Sequence, residues 1–143
     1  MADTSTITHE IETSYAAYSG AFNHEDIASV VRYIAAPYIM TIGGNVPMVA
    51  PDAEAVRRMF DQNLARMKGI GWAKSDYKIV HIWPLSTDHA LLVTDIVRWK
   101  ADGTMLEKGR YCYSLRRADP IWQITGVTDI REPFTGPGDF PRT

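Results

Sequence analysis

The sequence predicts an α+β domain in which helices that come first in the chain pack on one face of a β-sheet that comes last. Two observations carry this. The first half holds three apolar patterns at helical spacing, and the second half holds four β-rich runs separated by short turn signals. Helices followed by strands, instead of strict alternation, favour segregated layers over βαβ units.

In the first pattern Ile7, Ile11, Tyr15, Tyr18 and Phe22 recur at steps of three or four and paint one stripe. Asn23 reads as a break and cap, with Asp26 three residues on as a weaker form of the reciprocal capping pattern. Ile27, Val30, Val31 and Ile34 then give a short second helix, which Pro37 is expected to stop. Tyr38 to Ile42 reads as a strand, and Gly43-Gly44-Asn45 as a turn into a second strand, Val46 to Val49. Pro47 has no N–H for a ladder, so that second strand belongs at an edge. Asp52 caps a third helix carrying Val56, Met59, Phe60, Leu64 and Met67, with Gly69 and Gly71 at its end.

The β-rich runs are Tyr77–Leu85, His89–Lys100, Glu107–Arg117 and Ile121–Ile130. Their linkers Ser86-Thr87-Asp88, Ala101-Asp102-Gly103 and Ala118-Asp119-Pro120 make a meander of hairpins. Residues 131–143, rich in proline and glycine, read as an extended tail beyond a single domain over 1–130.

Composition excludes several function classes. A chain of 143 residues with 45% hydrophobic and 22% charged residues is ordinary globular material. A net charge of −2 leaves no electrostatic footprint for nucleic acid or an anionic membrane. One cysteine, Cys112, allows no internal disulfide and suits a reducing compartment. The first ten residues do not form a signal peptide, and no window is apolar enough to span a bilayer, so a cytoplasmic location is expected. His9, His24, His81 and His89 are scattered and Cys112 has no cysteine partner, so no metal is expected. Gly43-Gly44 lies between strands and does not open a helix, so there is no phosphate loop, and no cofactor is expected.

Two stretches carry a family resemblance. Tyr18-Ser-Gly-Ala-Phe-Asn-His-Glu-Asp26 resembles the junction of helices one and two in the nuclear-transport-factor-2-like (NTF2-like) superfamily. Tyr111-Cys-Tyr-Ser-Leu-Arg-Arg, followed by Ile121-Trp-Gln-Ile124, resembles its closing strands. The order of elements fits over residues 5–130, and SnoaL-like, polyketide-cyclase-like small proteins are the most similar in character. The resemblance implies a cone: three helices packed in a strongly curved, mainly antiparallel mixed sheet that leaves an apolar pocket. Members include isomerases, cyclases, dehydratases and epoxide hydrolases, and also subunits that only bind or dimerise, so the site must be argued separately.

Alternation puts Trp122, Ile124, Gly126, Thr128 and Ile130 on one face of the last strand, the face the resemblance implies is inward. Tyr111 and Tyr113 share a face and are expected to point inward too. The expected pocket is bordered by Tyr15, Phe60, Trp72, Tyr113, Trp122 and Ile124. By the same resemblance Tyr18 matches the phenol that donates to an oxyanion in steroid isomerases, a role suited to a neutral, strong donor; the alternative is a core aromatic with a satisfied hydroxyl. The base that reaction needs has no counterpart, because Thr41-Ile42-Gly43-Gly44-Asn45 contains no carboxylate. The epoxide-hydrolase pattern also fails, since Asp95 and Arg98 are three apart and fall on opposite faces of a strand.

Two function classes stay open. One is an acid–base isomerase, cyclase or dehydratase acting on a hydrophobic carbonyl or hydroxylated ligand, with Tyr18 and Tyr111 as donors and Asp95 and His81 as an acid–base pair. The other is a non-catalytic domain that binds a small apolar ligand, or that forms a homodimer through the outer sheet face at Ile121, Thr125, Val127 and Ile96. In that case Asp95 pairs with Arg98 or Lys78.

Overall fold

A computed structural model describes residues 3–44 and 46–137. Asn45, in the turn between the first two strands, and the tail beyond 137 lie outside the described residues. Helices α1 (Thr4–Asn23), α2 (Ile27–Val30) and α3 (Ala53–Gly69) accompany strands β1 (Ile34–Thr41), β2 (Met48–Ala50), β3 (Trp72–Pro84), β4 (His89–Lys100), β5 (Met105–Ala118) and β6 (Ile121–Ile130). The strands form one six-stranded sheet in the order β2-β1-β6-β5-β4-β3. β1 and β6 run parallel and the other neighbours antiparallel, so this is the mixed, curved sheet of the expected cone.

Each helix starts on an aspartate whose side chain satisfies an otherwise orphaned N–H. Asp3 accepts from Thr6 at 2.8 Å, Asp26 from Ser29 at 3.2 Å and Asp52 from Ala55 at 2.8 Å. α3 carries Glu54 in its first turn and Arg66 and Lys68 in its last, which complements its dipole. Ile7, Ile11 and Tyr15 of α1 and Val56, Phe60 and Met67 of α3 are buried. The α1 and α3 residues except Met67 join Leu92, Tyr113, Leu115, Trp122 and Val127 of the sheet in one core.

Asn23 does something other than cap. Its side chain bridges to the backbone of Ser75, donating to the carbonyl and accepting from the amide, both at 2.9 Å. The end of α1 is thereby fastened to the edge strand β3.

Four expectations are corrected. The helical pattern after Asp26 ends early: Val31–Tyr33 is a 3₁₀ turn, and the strand already starts at Ile34 and contains Pro37. Pairing with β6 outweighs local periodicity there, and the ladder breaks between Ile34 and Ile39, around the residue with no N–H to give. Second, Leu115 pairs with Ile124 but Ser114 with Gly126, so Thr125 is an extra residue in β6. This bulge reverses the alternation beyond it, and Val127 shares the inner face with Trp122 and Ile124 in place of Gly126, Thr128 and Ile130. Third, Val127 and Ile96, 6% and 8% exposed, belong to the interior and not to an outer dimer surface. Fourth, the described part of the tail, exposed over residues 131–135, still touches the sheet at two points. Gly136 lies so close to the sheet that a Cβ would sit 3.0 Å from Ile130 Cδ1, and Thr135 accepts a hydrogen bond from Arg110 at 3.2 Å.

Among the described residues no helix is long and apolar enough to cross a membrane.

Candidate functional site

Between the helices and the concave face of the sheet lie two small cavities, each of about 60 Å³. Tyr18, Asn63, Arg98 and Tyr113 line both and form the wall they share. The first is completed by Tyr15, Phe22, Asn23 and Tyr77, the second by Tyr38, Met59, Phe60, Tyr111 and Val127. Six of the chain's seven tyrosines (15, 18, 38, 77, 111 and 113) therefore line this region.

The rings pack tightly. Tyr15 stands edge-on to Tyr77 at 4.8 Å and to Tyr113 at 5.3 Å, and is tilted against Tyr18 at 5.6 Å. Tyr15 donates its hydroxyl to Tyr113 at 3.2 Å, and its oxygen lies 3.4 Å from that of the fully buried Thr94. Burial disfavours the phenolate, so Tyr15, Tyr18, Tyr38 and Tyr113 all have pKa values raised above the ordinary phenol value. At physiological pH they are neutral hydroxyls able to donate.

Arg98 projects from β4 into this aromatic lining, its side chain 17% exposed. Nη1 donates to the Tyr111 hydroxyl at 3.1 Å and to Glu107 at 3.3 Å, and the guanidinium lies 5.5 Å from the centre of the Tyr111 ring. Its Nε is sealed from solvent and has no acceptor. Desolvation opposes the charge, but Tyr111, Glu107 and Tyr113 outweigh it, so the pKa is raised and Arg98 stays a cation. Gly109 makes room for this arrangement: a Cβ there would fall 2.8 Å from the Tyr111 hydroxyl.

The expected site residues separate into groups. Tyr18 and Tyr111 border the cavities, as do Tyr15, Phe60 and Tyr113. Trp122 and Ile124 line only a void of about 10 Å³ between α1 and the sheet, too small for anything beyond one water. Trp72 lines neither cavity and sits behind the wall of the first, edge-on to Phe22 at 5.4 Å and donating to Ser75 at 2.9 Å.

Asp95 and His81 do not meet in the interior. Asp95 is on the opposite face of β4 from Arg98, gripped by Arg110 through two bonds of 2.7 and 3.1 Å, and this pairing lowers its pKa. It pairs with neither Arg98 nor a neighbour's lysine alone, although the charge of Lys78 adds to the lowering. An extra residue at Val80 shifts the β3 register, so His81 pairs opposite Val93 on the outer face, where its ring stacks on Trp83 at 4.2 Å.

Sequence reasoning missed Arg98, Asn63 and Tyr38 as cavity residues. The signal for Arg98 was available, since Leu92, Thr94, Ile96 and Arg98 alternate onto one face of β4.

A wider groove of about 770 Å³ runs between the tail and β4, β5 and β6; Asp95 pairs with Arg110 and Asp129 with Arg131 there, and Lys108 and Glu132 also line it. Among the described residues no cluster of three or more His, Cys, Asp or Glu could hold a metal ion.

Residues 9–131 match the model of the family described as NTF2-like protein (DUF6841). A search of the curated proteins found no match. Several solved structures are similar in fold. An NTF-2 like protein of unknown function from Shewanella oneidensis superposes with a TM-score of 0.68 at 15% identity, covering 85% of this chain and 97% of its own. A ketosteroid isomerase-like protein from Erwinia carotovora gives 0.61 at 20% identity, covering 86% and 95%. Aln2 from Streptomyces gives 0.67 at 14% identity, covering 92% and 95%. At these identities the likeness extends to the fold alone.

Proposed function

The chain belongs to the NTF2-like family DUF6841, and on that footing we propose that it is a small-molecule-binding protein whose aromatic cavity holds a ligand without converting it. The observation that carries this reading is the chemistry of the lining. Among the described residues around the two cavities there is no Asp, Glu or His, so the ionisable groups are one arginine and tyrosines, of which burial raises the pKa of Tyr15, Tyr18, Tyr38 and Tyr113. Such a lining donates hydrogen bonds and offers no group that accepts a proton near neutral pH.

The name of the Erwinia neighbour invites an isomerase reading. That reaction needs a base beside the acidified carbon, and the described residues 41–44 at the end of β1 include none. Asp95 and His81, the remaining acid–base candidates, lie across the sheet, and Asp95 is engaged by Arg110. The cavities are below the few hundred cubic ångströms typical of drug-sized ligands, which favours a small ligand that bridges them past Tyr18 and Asn63.

The test is a panel of small aromatic and aliphatic fragments followed by thermal shift, ligand-observed NMR and mass spectrometry. Binders are expected to stabilise the fold by about 2.7 kcal/mol at a hundredfold excess over Kd and to be recovered unchanged. Turnover of any binder by the purified protein, abolished in a folded Tyr18→Phe variant, would replace this reading with the enzymatic one.

A further inference from the structure

The hydrogen-bonding capacity around the shared wall is unbalanced in one direction. Tyr113 accepts from Tyr15, which leaves its own O–H to donate. The hydroxyls of Tyr18 and Tyr38 make no hydrogen bond among the described residues, although both side chains line the cavities. Arg98 commits Nη1 to Tyr111 and Glu107, but its buried Nε–H has no acceptor. Asn63 does not redress this: its carbonyl oxygen accepts from Arg66 at 3.0 Å and its amide donates toward the Met67 sulfur at 3.7 Å, and neither end meets these donors. Donors without acceptors therefore converge beside a cation. Of these groups the Arg98 Nε–H is the one sealed from solvent; the hydroxyls face the cavities, where an anionic acceptor gains most because it sits beside a guanidinium.

We propose that the cavity takes a small organic monocarboxylate, with the carboxylate on the Arg98 guanidinium and the hydroxyls of Tyr18 and Tyr113, and an aromatic or short apolar body among Tyr38, Met59, Phe60 and Val127. This rests on the binding reading above and specifies its ligand. A single charge follows from the site, because one guanidinium, already shared with Glu107, cannot compensate a dianion. A neutral amide or alcohol would use the same donors but leave the cation unmatched. The planar guanidinium suits a planar carboxylate, and the ring-rich second cavity suits a flat apolar body.

Calorimetry with benzoate, its neutral analogue benzamide and inorganic phosphate tests the assignment on the full chain. Benzoate is expected to bind at least tenfold tighter than benzamide, and phosphate more weakly than benzoate. Arg98→Gln should abolish the preference for benzoate over benzamide. Tyr18→Phe should weaken benzoate by about three- to tenfold, the worth of one hydrogen bond, with little change in Tm because that hydroxyl has no partner within the protein. Should Arg98→Gln fail to fold, Arg98→Lys keeps the charge but loses the planar guanidinium, and is expected to weaken benzoate while retaining the preference. Benzamide binding as tightly as benzoate would overturn the monocarboxylate assignment and leave the binding reading standing. Phosphate binding more tightly than benzoate, or undiminished benzoate binding by folded Arg98→Gln, would also overturn the assignment. If neither benzoate nor any neutral fragment of that size binds at millimolar concentration, both readings fall.

Discussion

Replacing Asn23 by alanine tests how the cavity is held shut at its edge. β3 is the last strand in the sheet order, so beyond it there is no further strand to satisfy the outward N–H and C=O of Ser75. The Asn23 carboxamide takes that place, with one hydrogen bond in each direction, both at 2.9 Å. Each such bond contributes about 1 kcal/mol net, and because Ser75 is only partly buried, water can reach the freed groups and hold the loss near the sum. Asn23→Ala should therefore cost about 2 kcal/mol, which for a chain of this size lowers Tm by about 4–8 °C. Urea denaturation should show a lower midpoint with an unchanged slope, since the surface exposed on unfolding is nearly the same. Asn23→Asp keeps the acceptor but turns a carboxylate oxygen toward the Ser75 carbonyl, and should lose at least as much. An Asn23→Ala protein within about 0.5 kcal/mol of wild type, well short of the two bonds' summed worth, would refute the claim that this side chain fastens α1 to the sheet.

Further predictions follow from particular contacts. Gly126→Ala should destabilise by about 2 kcal/mol, because its Cβ would lie 2.9 Å from the Ile39 carbonyl oxygen, a backbone atom that cannot move aside. Gly20→Ala, inside α1 with nothing within 4 Å of the new methyl, should instead stabilise by about 0.5–1 kcal/mol; equal effects in thermal melts would contradict both. Glu10 accepts from both arms of Arg117, at 2.9 and 3.2 Å, and from the Trp122 indole at 3.2 Å. Glu10→Gln should cost about 1–2 kcal/mol in urea melts, because the carboxylate charge is lost and one of the two oxygens that Arg117 donates to becomes an NH2 donor. The lowered pKa of Asp95 means that its contribution is present above the ordinary carboxylate pKa and lost as pH falls through the folded value. Because the pair is substantially exposed, Asp95→Asn should cost only a few tenths of a kcal/mol at pH 7. That difference should vanish in strong acid, with ligand binding unchanged throughout; a binding defect in this variant would return Asp95 to the site.

Much of the fold was legible because its signals are local. The α1 stripe, the aspartate cap at Asp52, and the spans of β4 and β6 follow from side-chain period and turn chemistry within a few residues. Residues 34–37 were misread as helical because their strand exists only by pairing with β6, almost ninety residues later. Of the site, Tyr15, Tyr18, Tyr111 and Tyr113 were within reach of periodicity and family resemblance.

By itself the sequence determined the order of elements, the start of α3 at Asp52 and an interior rich in tyrosine. Which face each strand residue occupies was decided only in the folded sheet. Single extra residues at Val80 and Thr125 reverse the alternation, and nothing in their local chemistry announces it. The same holds for the convergence of Tyr18 from α1, Asn63 from α3, Arg98 from β4 and Tyr113 from β5. Side-chain period is a property of neighbours along the chain, whereas a shared wall depends on the register of strands and helices far apart in it. Packing alone places a buried cation among unspent hydroxyl donors.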